Sequence, residues 1–179
     1  MGIFVKEGAL EVRELQKGDA VLLAKWLSDP AVLEFYEGRD NPFDLEKVME
    51  VFYQPDDGET RCIVEYEGKG IGYIQYYRLD AETKAVYGYE DGFIYGMDQF
   101  IGERSYWNRG IGAALVSSMA EYLVGVENAD RVVMDPQAGN ARALRCYEKC
   151  GFEKVRLLPK RELHEGGYRD CWLIEYRKA

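Results

Sequence analysis

Histidine and cysteine are scarce in this sequence: one His, His164, and four Cys at 62, 146, 150 and 171. No two cysteines form a CxxC pair, and one histidine cannot complete a zinc set of ordinary spacing, so a structural zinc module is excluded. The scattered thiols read as reduced, structural small hydrophobes. No run of the sequence approaches the roughly 18 apolar residues of a membrane span. The N-terminus has no basic start followed by an apolar stretch, so no signal peptide is expected and the cytosol is the expected compartment. Basic charge is short as well. Lys and Arg number 23 against 32 Asp and Glu, a formal net charge of −9, which argues against a nucleic-acid surface. The same imbalance suits a cationic ligand, because a cleft lined by one sign of charge concentrates the opposite ion. It equally suits an acidic protein kept soluble by its charge. No repeat, low-complexity tract or long linker interrupts the 179 residues, and a single domain over residues 1–179 is expected.

What is present is a regular alternation of strand and helix signals. Residues 9–15 alternate as a strand. Asp19 is placed to cap a helix through Trp26 that ends near Asp29-Pro30, and Asp44 to cap a second through Phe52. Pro55 to Gly58 reads as a turn. Residues 62–66 and 71–77 form two strands about the tight turn at Glu67 to Gly70. The polar stretch from Asp80 to Asp91 reads as an exposed loop. A fourth strand spans Phe93 to Ile101, and a helix follows with Ile111, Leu115, Met119 and Leu123 along one face. Residues 131–134 are a short buried strand, and Asn140 caps a helix closed by Gly151. Strands at 152–158 and 170–176 flank a turn at His164 to Tyr168. That order gives a mixed sheet with helices on its faces, an α/β architecture.

The segment Arg109-Gly110-Ile111-Gly112, between a strand and a helix, has the makings of an anion site. A helix start leaves backbone N–H groups unpaired and carries partial positive charge, and glycine lets a phosphate approach the backbone. A tight turn would use the same residues. The chain lacks both the Gly-Lys-Ser/Thr of an NTP-binding loop and the three-glycine dinucleotide fingerprint. Asp98 also stands out: a carboxylate in the middle of an apolar strand needs a partner, unless it merely faces solvent on an edge.

The loop resembles that of the GCN5-related N-acetyltransferase (GNAT) superfamily, Gln/Arg-x-x-Gly-x-Gly/Ala, with Trp107 standing where Gln or Arg is usual. A resemblance along nearly the whole chain is to aminoglycoside 6′-N-acetyltransferases, and most of all to the acetyltransferase half of bifunctional aminoglycoside-modifying enzymes. It lies in Val32-Leu-Glu-Phe-Tyr36, Tyr95-Gly-Met-Asp-Gln-Phe-Ile-Gly-Glu103, Asp135-Pro136, the run from Asn140 to Phe152, and Glu162-Leu-His-Glu-Gly166. A tryptophan at position 107 is normal in that subfamily. No phosphotransferase activity is expected.

The resemblance implies a GNAT fold: a twisted, mostly antiparallel sheet with helices on both faces and a splayed fourth strand. It also implies acetyl-CoA as cofactor, with coenzyme A as product. Gln99, Phe100 and Ile101 would pair with the pantetheine arm and donate an N–H to the thioester oxygen. Asn108, Arg109, Gly110, Ile111, Gly112 and Ala113 would hold the pyrophosphate. Asn140 and Ala143 would flank the pantetheine, although Asn140 also serves as a helix cap. Lys149 would reach a coenzyme phosphate or simply face solvent.

Asp98 would receive the substrate ammonium, as base or as electrostatic anchor. Tyr147, seven residues after Asn140 and on roughly the same helical face, would protonate the departing thiolate or pack in the core. Tyr36, Tyr95, Asp135, Glu165 and Asp170 would contact a polycationic aminoglycoside, with acids of the 80–91 stretch joining them. Tyr36 also fits plain core packing, and His164 a structural or exposed role. No residue is an evident covalent carrier, so direct transfer in a ternary complex is expected. The protein would act as a monomer or homodimer. Two other activities remain open: a transferase for another small amine, such as a siderophore precursor, and a catalytically silent acyl-CoA-binding domain.

Overall fold

The computed structural model describes residues 2–54 and 57–177. The turn expected at Pro55 to Gly58 lies partly outside the described residues. The chain forms two compact units, Met1–Gln75 with Gln99–Ile111 and Tyr76–Asp98 with Gly112–Ala179.

In the first unit lie β1 (Ile3–Glu7), β2 (Leu10–Glu14), α1 (Ala20–Trp26), α2 (Pro30–Leu33), α3 (Leu45–Phe52), β3 (Glu59–Tyr66) and the start of β4 (Lys69–Arg78), together with the end of β5 (Ile94–Ile101). Its strands run in the order β1-β2-β3-β4-β5. The pairs β1–β2 and β2–β3 are antiparallel. β4 and β5 approach closely: the Gly102 N–H donates to the Ile71 carbonyl at 2.8 Å. A Cβ on Gly72 would stand 2.5 Å from the Phe100 carbonyl oxygen, so only glycine fits there. The core of this unit is Leu23, Trp26, Leu27, Leu33, Phe43, Val48, Phe52, Ile63 and Tyr73.

Caps set the helix starts. Asp44 accepts from the Lys47 N–H at 2.8 Å at the head of α3. Asp29 accepts from the Ala31 N–H at 3.0 Å, with Pro30 preset for the first helical position of α2. Asp19 does not cap α1. Its carboxylate accepts from the Gln16 N–H at 2.7 Å and from the two terminal Arg13 guanidinium nitrogens at 2.8 and 2.9 Å. An arginine from the preceding strand outcompetes the helix start.

The second unit holds the end of β4, α4 (Ala81–Tyr87), most of β5, α5 (Ile111–Gly125), β6 (Arg131–Met134), α6 (Ala141–Lys149), β7 (Glu153–His164) and β8 (Gly167–Arg177). The order is β4-β5-β6-β8-β7. β5 and β6 are parallel, as a helical crossover through α5 requires. β6–β8 and β7–β8 are antiparallel. Leu115, Met119 and Leu123 of α5 are fully buried, as their spacing predicts.

The stretch expected as a loop after Asp80 is instead helix α4. Asp80 caps it through the Thr83 N–H at 2.7 Å, and Gly88 ends it in the left-handed conformation (φ 84°). Tyr87, Leu79, Ile94, Val133, Leu158, Cys171 and Leu173 form a buried cluster. The β7–β8 hairpin is longer than the alternation suggested, and its turn is Glu165-Gly166.

Candidate active site

Successive side chains on a strand point to opposite faces, and β5 sorts the candidate residues accordingly. Gly96 and Asp98 share one face with Tyr77 of β4. A Cβ on Gly96 would stand 2.5 to 2.9 Å from the Tyr77 ring and its oxygen. The Tyr77 phenol hydrogen-bonds to Asp98, and burial, then the charges of Asp98 and Asp135, push its pKa far above the ordinary phenol range.

Tyr95 faces the other way. Its ring packs edge-on against Tyr76 at 6.0 Å and Phe93 at 5.3 Å, and Tyr76 in turn meets Tyr122 of α5 at 6.2 Å. Burial, followed by Glu127, raises the Tyr95 pKa. The structure therefore does not bring Tyr95 to Asp98. The two are three residues apart on a strand of period two, and Tyr95 belongs to the aromatic layer under α5.

The parallel ladder between β5 and β6 closes at the pair Gly96–Val133, while β5 continues to Ile101. β6 itself ends at Met134, one residue beyond that pair.

Asp135 follows the C-terminal end of β6, half-buried. One of its oxygens accepts from the Tyr87 hydroxyl at 2.8 Å and from Arg161 Nε at 3.2 Å. The Arg161 guanidinium also lies 5.4 Å from the centre of the Tyr87 ring. Burial, then Asp135, raises the Tyr87 pKa. Arg161 sits in an irregular stretch of β7, where the register shifts between Leu158 and Glu162.

Asp170 accepts from the Lys160 N–H at 2.9 Å, and Glu162 accepts from Gln137 at 2.6 Å. Asp135, Glu162, Arg161 and Asp170 all act on the buried Cys171 thiol, whose pKa burial pushes up to about 12. Asp135 thus acts on both Tyr77, beside Asp98, and Cys171, beside Asp170. Glu165 sits in the hairpin turn with φ 50°, 3.9 Å from the buried His164. Tyr77, Tyr87 and Arg161 reach their carboxylates only through tertiary packing, which spacing along the chain does not show.

In the first unit, Phe100 is held by its side chain in the core. Its ring stacks on Tyr73 at 5.6 Å and meets Trp26 at 6.1 Å and Tyr36 at 4.7 Å. Tyr36 is thus half-buried against β5. The Trp107 indole N–H donates to the Ile101 carbonyl at 2.8 Å. The residue that departs from the superfamily loop therefore ties that loop to the end of β5. Asn108 (φ 61°) and Gly110 (φ 76°) take the left-handed conformations that turn the chain into α5. Arg109 is exposed, its guanidinium 4.9 Å from the Tyr106 ring and 5.7 Å from Tyr66.

The start of α5 suits an anion. Apart from chain neighbours and the helix's own backbone, a Cβ on Gly110 or Gly112 would meet no atom of the described residues within 4 Å, so the first turn is open to a phosphate. In the second unit the Ala113 carbonyl accepts from the Cys150 thiol at 3.5 Å. Asn140 caps α6 through the Ala143 N–H at 3.3 Å. Tyr147 lies 6.4 Å from the Phe152 ring, and Lys149 is exposed in the last turn of α6.

Similarity to known proteins follows the same lines. The family model described as an acetyltransferase (GNAT) domain matches residues 16–159. The chain is 29% identical over 150 residues to the aminoglycoside N(6')-acetyltransferase type 1 of Klebsiella pneumoniae, covering 82% of this chain and 75% of that protein. A kanamycin resistance protein from Rhizobium radiobacter is 38% identical over 64 residues, 36% of this chain and 59% of its own length. Among solved structures, the aminoglycoside acetyltransferase AAC(6')-Ib in complex with coenzyme A and kanamycin superposes with a TM-score of 0.73 at 26% identity, over 94% of this chain and 95% of that one. With a family match over most of its length, the chain belongs to the GNAT acetyltransferase family.

Proposed function

We propose that this protein transfers the acetyl group of acetyl-CoA to the 6′-amine of aminoglycoside antibiotics, directly and within a ternary complex, as a resistance enzyme. The observation that carries the proposal is Asp98. It is a half-buried carboxylate engaged by a half-buried phenol, on β5 just beyond the last β5–β6 pair. The substrate class follows the relatives named above together with the acids around Asp135.

Acetyl-CoA supplies the acyl group as an activated thioester. The N–H groups of Ile111, Gly112 and Ala113, with Asn108, Arg109 and Gly110, bind its pyrophosphate. The backbone of Gln99, Phe100 and Ile101 would hold the pantetheine arm, with Asn140, Ala143 and Lys149 as further contacts. Asp98 draws in the 6′-ammonium by charge. Once the bound ammonium has given one proton to water, the amine lone pair attacks the acyl carbon, and Asp98 accepts the second proton as the C–N bond forms, when that nitrogen is far more acidic than a free ammonium. Tyr147 returns a proton to the leaving sulfur. Asp135, Asp170 and Glu165 meet the other ammonium groups, and Tyr36 flanks a sugar ring.

The matched run 16–159 draws on both compact units, which supports a single catalytic domain. Among the described residues no helix is long and apolar enough to cross a membrane. The four free thiols suit a reducing compartment such as the cytosol. Thiol release from acetyl-CoA, measured with aminoglycosides that carry or lack a 6′-amine and with simple polyamines, tests the proposal. Release should depend on the 6′-amine. Release with polyamines alone would reassign the substrate.

A further inference from the structure

Gly96 and Asp98 lie on one face of β5, and the ring of Tyr77 from β4 crosses the strand on that face. A Cβ on Gly96 would stand 2.5 Å from Tyr77 Cε2, 2.8 Å from Cζ and 2.9 Å from the phenol oxygen. Any side chain at position 96 would push the ring away. The bare backbone instead lets the phenol reach the residue two positions on, a diagonal cross-strand contact. The ring packs against the cluster of Leu79, Tyr87 and Ile94, which limits its freedom. The phenol hydrogen-bonds to Asp98 and is also faced by Asp135 at the end of β6 and by the Tyr87 phenol from α4. Arg161 from β7 pairs with Asp135. Burial and these charges keep the Tyr77 proton in place, so toward Asp98 the phenol acts only as a donor.

We infer that Tyr77 is a positioning residue: its O–H holds one oxygen of the Asp98 carboxylate and aims the other at the substrate ammonium, an approach that Gly96 makes possible. The inference rests on Asp98 as the ammonium acceptor. A donor to the ionised carboxylate favours that form. A carboxylate held at one oxygen also presents the other in a fixed direction, and small misplacements of a catalytic group are costly in rate.

The test is Tyr77→Phe, which keeps the ring and removes only the hydroxyl, assayed with kanamycin and acetyl-CoA beside Asp98→Asn. In Tyr77→Phe, kcat should fall about ten- to a hundredfold with a smaller change in KM. The acid limb of kcat/KM should move to higher pH, because losing a donor to the ionised form raises the acceptor's pKa. The melting temperature should stay close to that of the unaltered protein. Gly96→Ala should act alike, and in the Tyr77→Phe background it should add little to the loss in kcat. Two results overturn the inference while Asp98 keeps its role: Asp98→Asn inactive with Tyr77→Phe matching the unaltered protein in kcat and acid limb, or a Tyr77→Phe that only lowers the melting temperature. An active Asp98→Asn removes the role of Asp98 and the inference with it.

Discussion

Glu103, which closes the Gly102-Glu103 pair after β5, should act through stability. One of its carboxylate oxygens accepts from the Trp26 indole N–H at 2.6 Å and from Lys25 at 2.8 Å. Trp26 is 1% exposed, so Glu103→Ala leaves a buried N–H unpaired, at about 1–3 kcal/mol. The Lys25 side chain is 63% exposed, and such a pair contributes at most about 1 kcal/mol. A total near 2 kcal/mol follows. For a chain of this size that lowers Tm by about 4–8 °C.

Glu103→Gln keeps an acceptor for the indole and should lose no more than about 1 kcal/mol. The hydrogen bond from Lys25, then that from Trp26, lowers the Glu103 pKa. Its contribution is therefore present above the ordinary carboxylate range and is lost as pH falls through the lowered value. Urea unfolding of the three proteins across pH measures all of this. The reasoning is refuted if Glu103→Ala unfolds with the unaltered protein, or if Glu103→Gln is as unstable as Glu103→Ala. The second result would place the stabilisation in the Lys25 charge rather than in the buried indole.

Three further outcomes are expected. Gly110→Ala forces a side chain into the left-handed region (φ 76°), at about 1–2 kcal/mol, and should raise KM for acetyl-CoA about tenfold while KM for kanamycin holds; steady-state kinetics decides. Arg161→Gln removes the cation on Asp135 and should lower KM for kanamycin several-fold at low salt without changing kcat, with the difference fading as salt screens it. Asn140→Ala should cost about 1 kcal/mol by uncapping α6, whereas Asn140→Asp keeps the cap, so a raised KM for acetyl-CoA in the aspartate variant isolates the cofactor contact.

The strand and helix order was legible where periodicity was strong, as in α5, whose four-residue spacing matches its buried face. Helix α4 was missed although its signals were present, with Asp80 as cap, Thr83 three residues on and Gly88 as stop. Its polar composition outweighed them, and with it went Tyr87, the hydroxyl partner of Asp135. Strand β1 went unread because its exposed residues show no clean alternation. Asp98 was legible as a carboxylate out of place on a strand. Its partner Tyr77 was not, because a contact between neighbouring strands depends on register, and the empty face of Gly96 has no meaning until β4 lies beside it. The odd spacing of Tyr95 and Asp98 already placed them on opposite faces. The resemblance grouped them, and the strand geometry separates them.

Kanamycin-dependent thiol release from acetyl-CoA by the unaltered protein and by Asp98→Asn tests the central claim most directly. The account predicts release by the unaltered protein and a loss of roughly 10²–10⁴-fold in the variant if Asp98 takes part in proton transfer, with its fold and its affinity for acetyl-CoA retained. Equal turnover by the two proteins, or no release with any aminoglycoside, would contradict it.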